Sequence, residues 1–197
     1  LREILGRHIP ALEQRIDRAI EQITAGRRDL EALDRRYRKA AQNAHARRMS
    51  IRSLRAESPF PNIGWNTDEA DHVWDQALEA ESASQAARTL LQACDQMQRA
   101  VNAALQAEQL YARIEHQMQS ALQRLEDELR GLQATLDRAQ RRAEEVRQEG
   151  EDDEAAELDM ACEAAERGIE LAYESGTFEE ALRRLRDARD TLNRTVR

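Results

Sequence analysis

From Leu90 onward, every seventh residue of this chain is apolar through Leu90, Met97, Ala104, Tyr111, Met118, Leu125, Leu132, Ala139 and Val146. A second seam runs Val73, Ala80, Ala87, Cys94, Val101 and resumes at Leu122, Leu129, Leu136, Ala143. A period of seven specifies helices packed at shallow left-handed crossings, as in coiled coils and long bundles. No proline falls between Asp68 and Glu149, and the only glycine there is Gly131. The stretch reads as one helix, or two joined end to end, of roughly 120 Å at full rise. That length predicts an elongated, all-α molecule.

Upstream, the same period holds through Ile9, Ile16, Ile23, Leu30, Tyr37, Ala44 and Ile51, with a companion seam Leu12, Ala19, Gly26, Leu33, Ala40, Arg47, Leu54. This predicts a first helix from about Ile9 to Arg55, with Pro10 in its first turn, where a missing N–H costs nothing. Residues 56–67 contain Pro59, Pro61 and Gly64 and must turn the chain. Asn66 with Glu69 three residues on forms a capping-box signature for the long helix.

Charge supports an antiparallel hairpin about that turn. Residues 27–55 are rich in arginine and residues 68–96 in aspartate and glutamate. Folding back near residue 62 lays one along the other and sets Ile9 near Glu115. Such pairs are individually weak but select register. At Glu108 and Glu115 one seam loses its apolar residues, so the long helix is expected to change partners there. Beyond it, helices over about Asp152–Glu174 and from Thr177 onward should close a bundle. Ser175-Gly176 separates them, and Thr177 with Glu180 gives another capping box. The third helix is acidic and the fourth basic, so this hairpin repeats the earlier charge logic.

The expected domains are a hairpin over 1–115 with a tip loop at 56–67, and a three-helix bundle over 116–197, sharing the long helix 68–149. Adjacent apolar pairs such as Leu90-Leu91 and Ala104-Leu105 make the stripe too wide for a two-helix hairpin. A third helix, from a missing segment or a second copy of the chain, is expected to cover it. Tandem modules joined by a shared helix resemble spectrin-type repeats, as in bacterial septation-ring regulators of that build. The entry Asn66-Thr67-Asp68-Glu69-Ala70 is similar to the helical regions that follow TPM domains in some bacterial membrane proteins. Both resemblances imply structural or interaction roles and bring no catalytic residues.

Composition agrees. Aromatics are 4% and charged residues 35%, the usage of long helices. The net charge of −8 argues against nucleic acid as the main partner. Lys39 is the only lysine, which reads as a GC-rich bacterial genome. Cys94 and Cys162 both fall on apolar seams and read as small buried hydrophobes. No apolar run is long enough to span a bilayer. The first residue is Leu1, so the chain reads as a piece of a larger protein. We expect a cytoplasmic location, with a membrane tether in a missing segment as the variant.

Glu69 and His72 have di-iron spacing, but His8, His45 and His116 lack a glutamate three residues before them, so no metal set assembles. There is no Cys-x-x-Cys, His-Glu-x-x-His or glycine-rich phosphate loop. The run Glu149–Glu154 lacks the ligand alternation of a calcium loop. No catalytic, cofactor or metal residue is predicted, and no enzymatic activity.

The tip is different. Phe60, Ile63, Trp65 and Trp74 lie within fifteen residues, flanked by Arg47, Arg48, Arg52 and Arg55. Two uses compete: a plug closing the hairpin's end, or a docking point for a protein or a membrane. Trp74 suits the plug. Phe60, Ile63, Trp65, Arg52 and Arg55 are the candidate docking residues. The expected function is a non-enzymatic scaffold that mediates protein–protein interaction, with homodimerisation through the distal hairpin. The alternative is a sensory or regulatory bundle relaying a ligand or membrane signal to a missing domain.

Overall fold

A computed structural model describes the backbone of residues 2–196 and the side chains of residues 9–196. The chain is all-helical: α1 (Arg2–Glu57), α2 (Asp68–Gln85), α3 (Leu90–Glu149), α4 (Asp152–Tyr173) and α5 (Phe178–Thr195). It divides into two units, Leu1–Met49 with Thr67–Arg113, and Ser50–Asn66 with Ile114–Arg197. Both α1 and α3 therefore contribute to both units. Pro10 lies inside α1 rather than opening it.

The expected helix 68–149 is broken. The chain leaves α2 after Gln85 and re-enters a helix at Leu90. Ala86 caps α2 through its N–H to Ser82 O at 3.0 Å. Thr89 opens α3, its hydroxyl accepting from Gln92 N at 3.2 Å. Ser84 reaches across the turn to donate to Ala93 O at 2.8 Å. The helices thus lie side by side, not end to end.

This reversal makes the first unit a three-helix bundle. Tyr37 of α1 donates to Glu81 of α2 at 2.7 Å and Arg48 pairs with Asp71 at 2.8 Å, so these helices are antiparallel. Gly26 of α1 meets Leu90, and Asn43 donates to Glu108 at 2.9 Å, so α1 and α3 run parallel. The expected pairing of Ile9 with Glu115 does not occur, because α2 takes the antiparallel position beside α1. The core joins Tyr37 and Ala40 to Ala77 and to Met97, Ala100, Val101 and Ala104. The third helix expected from outside is supplied by the chain's own turn at 86–89. Of the expected charge ladder, Arg48–Asp71 joins the two helices, whereas Arg38 pairs along α1 with Asp34.

In the second unit, α3 ends at Gly150, whose φ of 86° suits a residue without a side chain. Glu151 N returns to Val146 O at 3.1 Å, the closing bond of a Schellman-type stop. The α4 helix then packs back on α3, with Arg142 facing Glu154 at 3.7 Å and Arg147 bonded to Asp159. The capping hydroxyl of Thr177 accepts from Glu180 N at 3.3 Å and starts α5. The Glu180 carboxylate turns to Arg184 instead of completing the box. Acid on α4 is thus answered by arginines of α3, whereas Arg189 of α5 meets Glu128 of α3 at 2.7 Å. Leu125, Leu132, Leu185 and Leu192 form the core, and Leu158 anchors a smaller cluster with Ala143 and Val146.

At Gly168 the α4–α5 pair closes so tightly that a Cβ there would lie 2.7 Å from Ala188 Cβ. Gly168→Ala gains helix propensity of about 1 kcal/mol, yet the overlap is with a methyl group that cannot rotate away. We expect a net loss of stability of about 1–2 kcal/mol. Adding Ala188→Gly should recover most of it. Urea unfolding of the single and double variants checks this, and a neutral single variant refutes the close contact.

Candidate functional site

The first stretch of α1 carries an exposed apolar ridge. Ile9, Leu12, Ile16, Ile20 and Ile23 recur at helical spacing and are each 49–57% exposed. Residues 9–25 are exposed throughout, whereas Leu30, Leu33, Tyr37, Ala40 and Ala44 further along α1 are half-buried or buried. The change falls at Gly26, where the α2–α3 turn ends. Leu90 sits directly on this glycine; an added Cβ would come 2.6 Å from Leu90 Cδ2. Cys94 donates its thiol to Gly26 O at 3.6 Å.

Beside the ridge lies a groove of about 830 Å³ between α1 and the start of α3. Ala19, Ile23, Gly26, Leu90, Leu91 and Cys94 form its apolar wall. Leu91 is 81% exposed at its mouth. Scattered apolar side chains on a surface need no explanation, but a contiguous apolar ridge with a groove beside it is the kind of patch that partners cover in other proteins. Ile9, Leu12, Ile16 and Ile23 were legible as seam residues and Ile20 was not, and periodicity alone did not show that they lack a partner among the described residues.

The same unit contains a polar node that fixes the helices behind this surface. Asp71 accepts from Thr67 at 2.7 Å and from Tyr111 at 2.7 Å, and pairs with Arg48. One carboxylate therefore links α1, α2 and α3. Burial raises its pKa, but hydrogen bonds from Thr67 and Tyr111 and the Arg48 charge outweigh burial and hold it below the usual carboxylate range. The Tyr111 and Tyr37 hydroxyls are both pushed up, chiefly by burial and then by donating to a carboxylate. Thr67, not Asn66, occupies the N-cap position of α2, and its hydroxyl goes to Asp71 rather than to a backbone N–H.

The expected docking tip is placed elsewhere than at a free end. Phe60 and Ile63 are 1% and 3% exposed and belong to the core of the second unit. The Phe60 ring packs 5.2 Å from that of Tyr173, and Gly64 N donates to Gly176 O at 3.2 Å. Trp65 is half-buried against the same cluster, and Arg55 donates to its carbonyl at 2.8 Å. Arg52 remains exposed. Phe60 and Ile63 are thus core residues, which corrects their assignment to a docking surface. Trp74 lies half-buried on α2, in the other unit.

Near Glu108 and Glu115, Asn43 bonds Glu108, and Ser50 donates to Glu115, which is buried. Of the Glu69–His72 pair with di-iron spacing, His72 is exposed and shares a hydrogen bond with Gln76 at 3.0 Å. Among the described residues no group of three or more His, Cys, Asp or Glu side chains is placed to hold a metal ion. Cys162 is buried, which pushes its thiol pKa up. Among the described residues no helix is long and apolar enough to cross a membrane. No family model, curated protein or solved structure matches the chain.

Removing the Tyr111 hydroxyl isolates the node's contribution. Tyr111→Phe should cost about 1 kcal/mol at neutral pH, the net value of a typical hydrogen bond. Asp71→Asn should also destabilise at neutral pH. Its deficit should shrink in acid, because the stabilisation from a depressed carboxylate is present above its unfolded pKa and disappears as pH falls through the folded value. Urea unfolding at pH 7 and at acidic pH checks both. A pH-independent deficit for Asp71→Asn would refute the charge assignment.

Proposed function

We propose that this chain is a non-enzymatic helical interaction module whose docking surface is the α1 ridge. The observation that supports this reading is the row Ile9, Leu12, Ile16, Ile20 and Ile23, left half-exposed beside an apolar groove. Leaving such side chains in water forgoes roughly 1 kcal/mol or more per side chain that a covering surface would recover. Most of the remaining apolar seam is used internally, in the two cores. The ridge therefore replaces the loop at 56–67 as the favoured contact surface. A tandem of helical units sharing a helix is also what a spectrin-like scaffold would use, and a cytoplasmic location belongs to the same proposal.

A photo-crosslinking residue tests the reading in cells. Placed at Ile16, it should give discrete protein adducts; placed at Gln133, an exposed position on α3, it should not. Equal adduct patterns from both positions, or none from Ile16, would refute an interaction surface on the ridge.

A further inference from the structure

We infer that α1 holds two folding units within one helix: residues 9–25 open and close on their own, while the bundled part beyond Gly26 stays folded. The ridge is thereby gated, because Ile9, Leu12, Ile16, Ile20 and Ile23 share a face only while this stretch is helical.

Beyond Gly26, α1 is held by what covers it. Tyr37, Ala40 and Ala44 are buried, and Tyr37, Asn43 and Arg48 are tied to α2 or α3. Residues 9–25 have no such hold. All of them are exposed, and among the described residues their one side-chain hydrogen bond runs from Thr24 to Ile20 O at 2.8 Å. That bond turns back on its own helix and slightly weakens it.

The local sequence does little to compensate. Ile9, Ile16, Ile20, Ile23 and Thr24 are β-branched and lose side-chain freedom in a helix. Pro10 gives no N–H to the ladder. Elsewhere the helices carry ion pairs in which an acid precedes an arginine by four residues, as in Asp34–Arg38, Asp95–Arg99, Glu126–Arg130, Glu163–Arg167 and Glu180–Arg184. Such pairs support a helix. Residues 9–25 contain none: Arg15 has Ala11 and Ala19 four residues away, and Arg18 has Gln14 and Gln22. Glu13, Asp17 and Glu21 instead follow one another at a spacing of four, so two like-charge pairs stand in line and repel.

The boundary falls at Gly26. Glycine is the weakest helix former after proline, and here it is clasped from the side of α3. An added Cβ would lie 2.6 Å from Leu90 Cδ2, and Cys94 donates its thiol to Gly26 O at 3.6 Å. Opening that spreads through 9–25 therefore stops where α3 begins. The consequence for docking rests on the ridge being an interaction surface. A partner meets a formed ridge only in the closed fraction of molecules, and its apparent affinity falls in proportion.

Hydrogen exchange of the full chain, read by mass spectrometry at neutral pH, tests the inference with no partner present. Amides of 9–25 should exchange at least about a hundredfold faster than those of 37–48, which open only with the bundle. The change should fall within a few residues of Gly26. Asp17→Arg turns both repulsions into attractions and should slow exchange over 9–25 about fivefold, leaving 37–48 unchanged. Equal protection on the two sides of Gly26 overturns the inference, as does exchange over 9–25 that Asp17→Arg leaves unaltered. Crosslinking at Ile16 tests the interaction reading separately, so either reading can fail while the other stands.

Discussion

A helix whose apolar stripe is wider than one partner can cover must be flanked by two. This constraint governs the first unit. On α1, Leu30, Tyr37 and Ala44 form one seam, Leu33 and Ala40 a second, and Ala41 widens the stripe. A single helix facing α1 would leave part of that surface in water. The chain meets the requirement within itself by reversing at 86–89, so that α2 and α3 flank α1 together. In the second unit α3 is flanked in its turn by α4 and α5. The aliphatic residues Ile9 to Ile23 of α1 carry the same kind of stripe without a flanking pair among the described residues, which is why the ridge stands out.

Small residues let these helices close and polar ones define their register. Ala40, Ala77, Ala100 and Ala104 occupy the first core, so its packing relies on close backbone approach more than on large side chains. An alanine surface gives few steric cues to distinguish one register from a slipped one. The Asp71 node supplies the missing specificity, because sliding α1 or α3 by a turn against α2 would separate Arg48 or Tyr111 from the carboxylate. Glu81 with Tyr37 and Glu108 with Asn43 make further long-range contacts of the same kind. In the second unit leucines carry the packing, ion pairs from Arg142 and Arg147 lie at its margins, where each is worth little, and Arg189 pairs with the largely buried Glu128.

The heptad reading identified what would be buried better than where the chain would turn. Met97, Ala104, Tyr111, Met118, Leu125, Leu132, Ala139 and Val146 are all buried. The antiparallel pairing of basic α1 with acidic 68–85 was legible from charge and is realised by Arg48 with Asp71. The reversal at 86–89 was hidden for a physical reason. It contains neither glycine nor proline, and the seam Val73, Ala80, Ala87, Cys94 keeps its phase across it. Thr89 with Gln92 three residues on has the form of a capping box, and it was the one local signal of the break. The aromatic residues at 60–65 were legible as a cluster, but a cluster does not reveal whether the rest of the fold will close over it. Tyr173 and the α4–α5 turn do so.

The ridge also sets how any occupant would act. An isolated helix of this length is marginal in water, since nucleation is costly and propagation adds little per residue. Residues 9–25 begin with an advantage, because the bundled part of α1 supplies the nucleus and only propagation remains. Among the described residues, no side chain packs over their apolar face to add to that support. Helix order and occupancy are consequently linked through the same side chains: whatever covers Ile16 and Ile20 also stabilises the backbone that presents them. Binding at the ridge would then transmit order toward Gly26 and Leu90, where the overhang joins the bundle. A partner that covered this extension of a core helix would therefore couple its binding to the stability of the unit that carries it.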